Sequence, residues 1–266
     1  MSNREPELHR ASATGSRQTS RSRLVIEAGA ATEHGPRLLI GAICLVAIAT
    51  LGGRLVAGSH NDGMLSGLDI SVTNAFVRHR PSWLISASKA ISALGDVVEM
   101  VVMSVAAALL AWRRRLGSLW LLPLVATVGA SLLAQIVKLT VGRSRPPVAL
   151  RLTHETNYSM PSGHTTTAAA ALGALAVVIA LVAPRWRRWA AGGAVALTTL
   201  IALSRLVLGV HWLSDVMLGA ALGAAWLAVS FTIWSPRRAL TDLAKGSSVD
   251  SSDAPTEPSP ESSGLA

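Results

Sequence analysis

The chain has 266 residues, of which half are hydrophobic and 15% charged, and its formal net charge is +9. A charged fraction below the usual quarter, with apolar residues in long blocks, argues against an ordinary soluble domain. The basic residues stand between these blocks, as in AWRRRLG and APRWRRWA, so the charge indicates membrane topology rather than a nucleic-acid-binding surface. The single cysteine, Cys44, excludes a disulfide within one chain.

The two ends of the chain are polar. Residues 1–36 are rich in Ser, Arg, Thr and Glu, and residues 239–266 in Ser, Pro and acidic side chains. Neither segment has enough large apolar side chains to bury a core, so we expect two disordered tails around one membrane domain at residues 37–238. No cleavable signal peptide is expected, because the first apolar block starts only near Arg37 and is too long.

Six apolar blocks follow the N-terminal tail. Crossing a hydrocarbon core of roughly 30 Å takes about 20 apolar residues, and most blocks meet this length. They predict an all-α integral membrane protein, a bundle of six transmembrane helices at residues 38–56, 97–112, 119–139, 165–182, 189–208 and 213–233. The second helix is the weakest of these predictions, because Glu99 lies near its outer end.

The segment between the first two predicted spans mixes apolar and polar residues. Its residues Leu84, Ala87, Ser88 and Ile91 recur at helical spacing. This pattern predicts an interfacial helix on the bilayer surface, and an ordinary solvated helix is the alternative.

Basic residues indicate the orientation of the bundle, because Lys and Arg near helix ends stay cytoplasmic. Four basic groups fall on one side if six helices cross: Arg17, Arg21, Arg23 and Arg37; Arg113, Arg114 and Arg115; Arg185, Arg187 and Arg188; Arg237 and Arg238. We therefore predict a multi-pass cell-membrane protein with both termini in the cytoplasm.

Three polar stretches fall at the opposite face. They are KLTVGRSRP at residues 138–146, PSGH at 161–164 and SRLVLGVHWLSD at 204–215. A charge at the middle of a bilayer costs roughly 3 kcal/mol. Lys138 and Arg205 lie near helix ends, where the cost is smaller, and a basic cluster at the mouth of a helix suits a bound anion. The start of a helix at PSGH adds free backbone N–H groups, with Ser162 as a further donor and Gly163 allowing close approach of the backbone.

Two histidines and an aspartate accompany these cations. His211 and Asp215 are four residues apart and share a helix face, so the carboxylate can orient the imidazole as a nucleophile or base. His164 comes from another helix and can supply a proton from the opposite side. Nucleophile, orienting carboxylate, acid and cations are the parts needed for phosphoryl transfer through a covalent intermediate.

The three stretches resemble the signature motifs of the type 2 phosphatidic acid phosphatases, the lipid phosphate phosphatases, without a departure and in the same order. The resemblance covers residues 68–233. It implies that His211 is the nucleophile, His164 the general acid and Asp215 the residue that orients the nucleophile. It further implies phosphate binding by Lys138, Arg145, Arg205, Ser162 and Gly163, with no metal and no other cofactor.

Neighbouring polar residues receive more ordinary interpretations. A structural His211–Asp215 pair is the alternative to a catalytic one. Arg143 and Arg151 match no motif position, so we expect contacts with solvent or lipid headgroups. For His154, Glu155 and Tyr158 ordinary loop chemistry is favoured over a role in substrate entry. We expect Asp96 and Glu99 to face water or the bundle interior, and Gly129 and Gly173 to pack helices.

The function predicted from these observations is hydrolysis of the terminal phosphate of a lipid phosphate or diphosphate at the outer membrane face, through a phosphohistidine. A polyprenyl diphosphate is the first candidate substrate, and phosphatidic acid and phosphatidylglycerophosphate are the alternatives. A phosphotransferase that uses the same phosphohistidine is a second enzyme class. A lipid-binding protein without activity is a third, which the intact histidine pair disfavours.

Overall fold

A computed structural model of the protein describes residues 35–58 and 64–234, and these residues form helices and loops only. The α-helices are α1 at Gly35–Gly58, α2 at Met64–Arg78, α3 at Ser82–Leu94, α4 at Val97–Arg113, α5 at Leu122–Val141, α6 at Gly163–Val182, α7 at Arg187–Val207 and α8 at Leu213–Trp234. Short 3-10 helices lie at Gly117–Leu121, Val148–Leu150 and Pro184–Trp186. The predicted tails lie outside the described residues, except that Gly35 and Pro36 begin α1.

Five segments of the described residues are each long and apolar enough to cross a membrane: 35–58, 117–141, 163–182, 184–207 and 213–233. The pair α3 and α4 also qualifies together, although the two helices are bent by 51°. Counting this pair as one span gives six crossings. The prediction of an all-α membrane bundle is therefore confirmed, and the second predicted span corresponds to α4.

The segment between the first and second spans contains two helices, α2 and α3, rather than the one helix predicted. Helix α3 packs mainly against α7 and turns Ser88 and Ser92 inward. Helix α2 contacts α7 and α8 and buries Asp69 and Thr73. The orientation of these helices on the bilayer surface stays a prediction.

Helix α6 lies at the centre of the bundle and contacts α4, α5, α7 and α8. Its buried residues are mostly Ala and Thr, which let neighbouring backbones approach closely. Small residues have the same role elsewhere in the bundle, since a side-chain carbon at Gly129 would overlap Trp226 and one at Gly173 would overlap Leu227. The predicted packing role of both glycines is confirmed.

Four helix ends meet at one end of the bundle. They are the C-terminal ends of α5 and α7 and the N-terminal ends of α6 and α8. Helix α5 ends at Gly142, whose φ of 67° lies in the left-handed region that favours glycine. The loop that starts there, residues 142–162, returns over the same end of the bundle before α6 begins.

Candidate active site

Most of the predicted site residues surround one cavity at this end of the bundle. The cavity has a volume of about 120 Å³, and its lining includes Lys138, Arg145, Gly163, His164 and His211. Arg205 lines an adjoining cleft that shares His164 with the cavity. The loop and three helices thus bring the three sequence motifs together.

His211 is held in one tautomer with its reactive nitrogen toward the cations. Its Nδ1 is 3.3 Å from Asp215 Oδ2, and its Nε2 is 3.2 Å from Arg145 Nη1. Arginine can only donate, so Nε2 carries the lone pair and Nδ1–H donates to Asp215. Burial lowers the pKa of His211 to about 3, although Asp215 opposes this shift. The ring is therefore neutral at physiological pH and can act as a nucleophile.

Asp215 is fully buried and accepts hydrogen bonds at both oxygens. Besides His211, its Oδ2 receives the Ser159 hydroxyl and, at 2.8 Å, the backbone N–H of Trp212. Its Oδ1 receives Arg143 Nη1 at 2.7 Å. These partners fix the carboxylate, so it can orient the His211 ring without moving.

Arg143 has a different place from the one predicted. The expectation of solvent or headgroup contacts is wrong, because the residue is only 2% exposed. Its guanidinium joins Asp215 to Asp69 of α2, with Nη2 2.6 Å from Asp69 Oδ2. Asp69 also accepts hydrogen bonds from the backbone and hydroxyl of Ser214. Two buried carboxylates explain why this loop arginine is drawn inward.

Lys138 and Arg145 are fixed by the loop above the cavity. Lys138 Nζ donates to the Tyr158 carbonyl at 2.9 Å. Arg145 donates to the Asn157 carbonyl at 2.7 Å, to the Asn157 side chain and to the Val210 carbonyl at 2.8 Å. Burial lowers the pKa of Arg145, and Glu155 partly opposes this effect. Both cations are pre-positioned for an anion.

A glutamate occupies the space between two of the predicted phosphate-binding residues. Glu155 Oε1 accepts from Arg205 Nη2, and Oε2 lies 3.4 Å from Arg145 Nη2. Burial raises the pKa of this carboxyl, but Arg205 and Arg145 outweigh burial and hold its pKa below the usual value. The expectation of ordinary loop chemistry for Glu155 is wrong, because its carboxylate bridges the two arginines as a bound anion would.

His164 pairs with a carboxylate that belongs to no sequence motif. Its Nε2 lies 2.6 Å from Asp96 Oδ1 at the start of α4. The break between α3 and α4 brings Asp96 to this position, and Gly95 in the break packs closely against Ile201 and the His164 ring. Asp96 faces water in part, as predicted, and its carboxylate also pairs with His164, the proposed general acid.

The start of α6 presents backbone N–H groups to the cavity. The first hydrogen bond of the helix runs from Thr166 N to Ser162 O, so the N–H groups of residues 163–165 precede the helical ladder. A side-chain carbon at Gly163 would point toward Lys138 Cε, 3.8 Å away. Ser162 is fully buried, does not line the cavity and accepts from Thr165, so its phosphate-binding role stays a prediction without support from this geometry.

Among the described residues, no group of three or more His, Cys, Asp or Glu side chains is arranged to hold a metal ion. Lys138 and Arg145 line the cavity, and Arg205 and Lys89 line the adjoining cleft, so these cations could stabilise an anion.

The residues that the motifs did not indicate are Asp69, Arg143, Asp96 and Glu155. Helical spacing gives no signal for Asp96, because the helix that carries Lys89 and Ser92 ends at Leu94 and Asp96 precedes α4. Asp69 has only the weak signal of a lone acid in a largely apolar segment.

Comparisons with known proteins identify relatives over this same part of the chain. A family model described as the PAP2 superfamily matches residues 118–239. Phosphatidylglycerophosphatase B of Bacillus subtilis is 29% identical over 174 residues, covering 64% of this chain and 84% of that protein. Decaprenylphosphoryl-5-phosphoribose phosphatase of Mycobacterium tuberculosis is 30% identical over 173 residues, covering 64% and 90%.

A solved structure has the same fold. It is the crystal structure of a transmembrane PAP2-type phosphatidylglycerolphosphate phosphatase from Bacillus subtilis, with a TM-score of 0.60 and 26% sequence identity. The match covers 70% of this chain and 93% of that one. The sequence motifs, the helical bundle and these relatives agree, and the protein belongs to the PAP2 superfamily as a multi-span membrane lipid phosphatase.

Proposed function

We propose that the protein hydrolyses the terminal phosphate of a lipid phosphate or diphosphate at the outer membrane face, through a phosphohistidine at His211. The observation that carries this proposal is the direction of the His211 lone pair. Nε2 faces Arg145 in a cavity that Lys138 and His164 also line. A neutral imidazole beside fixed cations is suited to attack on a phosphate and not merely to packing.

The first step transfers the phosphoryl group to the enzyme. The substrate phosphate replaces the Glu155 carboxylate between Arg145 and Arg205. The lone pair of His211 Nε2 forms a bond to phosphorus as the bond from phosphorus to the leaving oxygen breaks. His164 gives its proton to that oxygen, and Asp215 stabilises the positive charge that develops on the His211 ring.

The second step returns the enzyme to its starting state. A water molecule attacks phosphorus and loses a proton to His164, while the phosphorus–nitrogen bond breaks. Inorganic phosphate leaves and His211 is neutral again. If a lipid hydroxyl took the place of water, the same intermediate would give phosphotransfer, and measurement of free phosphate separates the two reactions.

The test of the function is phosphate release by the purified full-length protein in detergent. We expect hydrolysis of lipid phosphates to persist in excess chelator, because Lys138, Arg145, Arg205 and the start of α6 supply the stabilising charge. Vanadate, which mimics five-coordinate phosphorus, should inhibit. Loss of activity in chelator with recovery on adding magnesium would contradict this mechanism.

The orientation is tested separately in whole cells. The basic residues at the end of α4 and between α6 and α7 lie at the opposite end of the bundle from the site, which supports an outward-facing cavity. Reporter fusions after Arg115, Arg188 and Arg238 should report the cytoplasm, and a fusion after Leu150 should report the outside. The reverse pattern would reject the outer-face assignment.

A further inference from the structure

A second cleft adjoins the cavity on the far side of Glu155 and His164. It has a volume of about 220 Å³ and is lined by Lys89, Ser92, Asp96, Thr153 and Arg205, among others. Glu155 and His164 line both spaces, whereas His211 and Arg145 line only the first. The two spaces are therefore the two sides of one potential binding site.

The position of Glu155 indicates where a scissile phosphate sits. Its two oxygens engage Arg145 on one side and Arg205 on the other. A phosphate that replaced this carboxylate would have the His211 cavity on one side and the second cleft on the other. In phosphoryl transfer, the attacking and leaving atoms lie roughly in line with phosphorus. The leaving group then extends into the second cleft.

The proposed acid faces the same direction. His164 Nε2 is bonded to Asp96, a residue of the second cleft and not of the first cavity. A leaving oxygen that enters the cleft can take the place of this carboxylate and receive the proton from Nε2. The geometry of the acid thus agrees with the side expected from in-line attack.

Two polar atoms on residues that line the cleft have no partner among the described residues. Within the described residues, the buried atoms Arg205 Nε and Thr153 Oγ1 have no hydrogen-bond partner. Buried polar atoms are normally paired, so two orphans on residues that line one cleft indicate a polar ligand. Lys89 adds a cation from α3, which also contributes Ser92 to the cleft, and Asp96 lies at the start of α4. Arg205 and Lys89 outnumber Asp96 once substrate displaces Glu155.

Resting on the proposed function, we infer that this cleft binds the leaving group and that Lys89 selects lipids whose leaving group carries a second phosphate near the scissile one. Two lipid chemistries meet this description. One is a lipid diphosphate, in which the second phosphate is bonded directly to the first. The other is a lipid with a phosphodiester a few atoms away, as in phosphatidylglycerophosphate.

The experiment compares matched substrate pairs with the full-length protein in detergent. Farnesyl diphosphate is paired with farnesyl monophosphate, and phosphatidylglycerophosphate with phosphatidic acid of the same acyl chains. Lys89→Gln should lower the ratio of kcat/KM within a pair about tenfold, the effect of losing one charge-assisted hydrogen bond. Lys89→Arg should restore the ratio. Arg78→Gln, which removes an exposed cation outside both spaces, is the control.

The outcomes separate the two lipid chemistries. If Lys89→Gln lowers the kcat/KM ratio only in the farnesyl pair, the cleft binds the second phosphate of a diphosphate. If the ratio falls only in the phosphatidylglycerophosphate pair, the cleft binds a phosphodiester. If the ratio falls in both pairs, the cleft accepts both chemistries. An unchanged ratio in both pairs, or the same fall with Arg78→Gln, overturns the inference. Continued phosphate release from the monophosphates in that case would leave the proposed function standing, whereas no release from any of the four substrates would reject that function itself.

Discussion

His211→Ala is expected to form no phosphoenzyme with any substrate, whereas His164→Ala should still form one with an activated substrate. Removing His211 removes the only atom proposed to bond phosphorus. Removing His164 removes a proton donor, which is typically worth about a hundred- to ten-thousand-fold. A nitrophenyl phosphate has a weakly basic leaving group and needs less of that help. Acid-labile phosphoenzyme, measured with labelled substrate, distinguishes the two variants.

Two further measurements test the assignment of His211 as the nucleophile and His164 as the general acid. Breakdown of the His164→Ala phosphoenzyme should be slow, because His164 also activates water. Asp215→Asn should be impaired with alkyl and nitrophenyl substrates alike, because it acts through the His211 ring. Phosphoenzyme in His211→Ala together with its absence in His164→Ala would exchange the two roles.

Most of the bundle was predictable because five of the spans among the described residues are long apolar blocks, and the membrane imposes that pattern on the sequence. The bend between α3 and α4 was harder to predict. Ser82–Leu94 mixes Ser and Lys with apolar residues, and only tertiary contact with α7 decides where it lies. The number of helices before α4 was missed for the same reason.

The site residues that lie within the sequence motifs were predictable, and the residues that form ion pairs with them were not. His211 and Asp215 are four residues apart, so a helix alone brings them together. Asp69 and Arg143 are 74 residues apart, and Asp96 and His164 meet through a break in a helix. Such pairs form only when the helices pack against one another. Apolar contacts determine that packing, and the spacing of residues along the sequence does not reveal it.

The second large effect is expected at Arg143. Its guanidinium joins Asp69 to Asp215, and all three residues are at most 2% exposed. The guanidinium carbon also lies 5.7 Å from the centre of the Trp212 ring. Two carboxylates and one arginine leave one net negative charge behind His211, which balances the charge on the ring when it is phosphorylated. Removing one partner of a buried ion pair typically costs about 3–5 kcal/mol. Arg143→Ala is therefore expected to fold poorly.

Arg143→Lys separates positioning from folding. Lysine keeps the charge but lacks the planar fork that joins two carboxylates, so Asp215 loses its fixed orientation. We expect kcat to fall about ten- to a hundredfold, by analogy with the loss of groups that orient the protein ligands of metal ions, with KM little changed. Adding Asp69→Asn should have less effect in this variant than in the native protein, because the coupling is already broken. Arg151→Lys, in the same loop but bonded to the Pro146 carbonyl, is the control. A raised KM with unchanged kcat would instead make Arg143 a phosphate ligand.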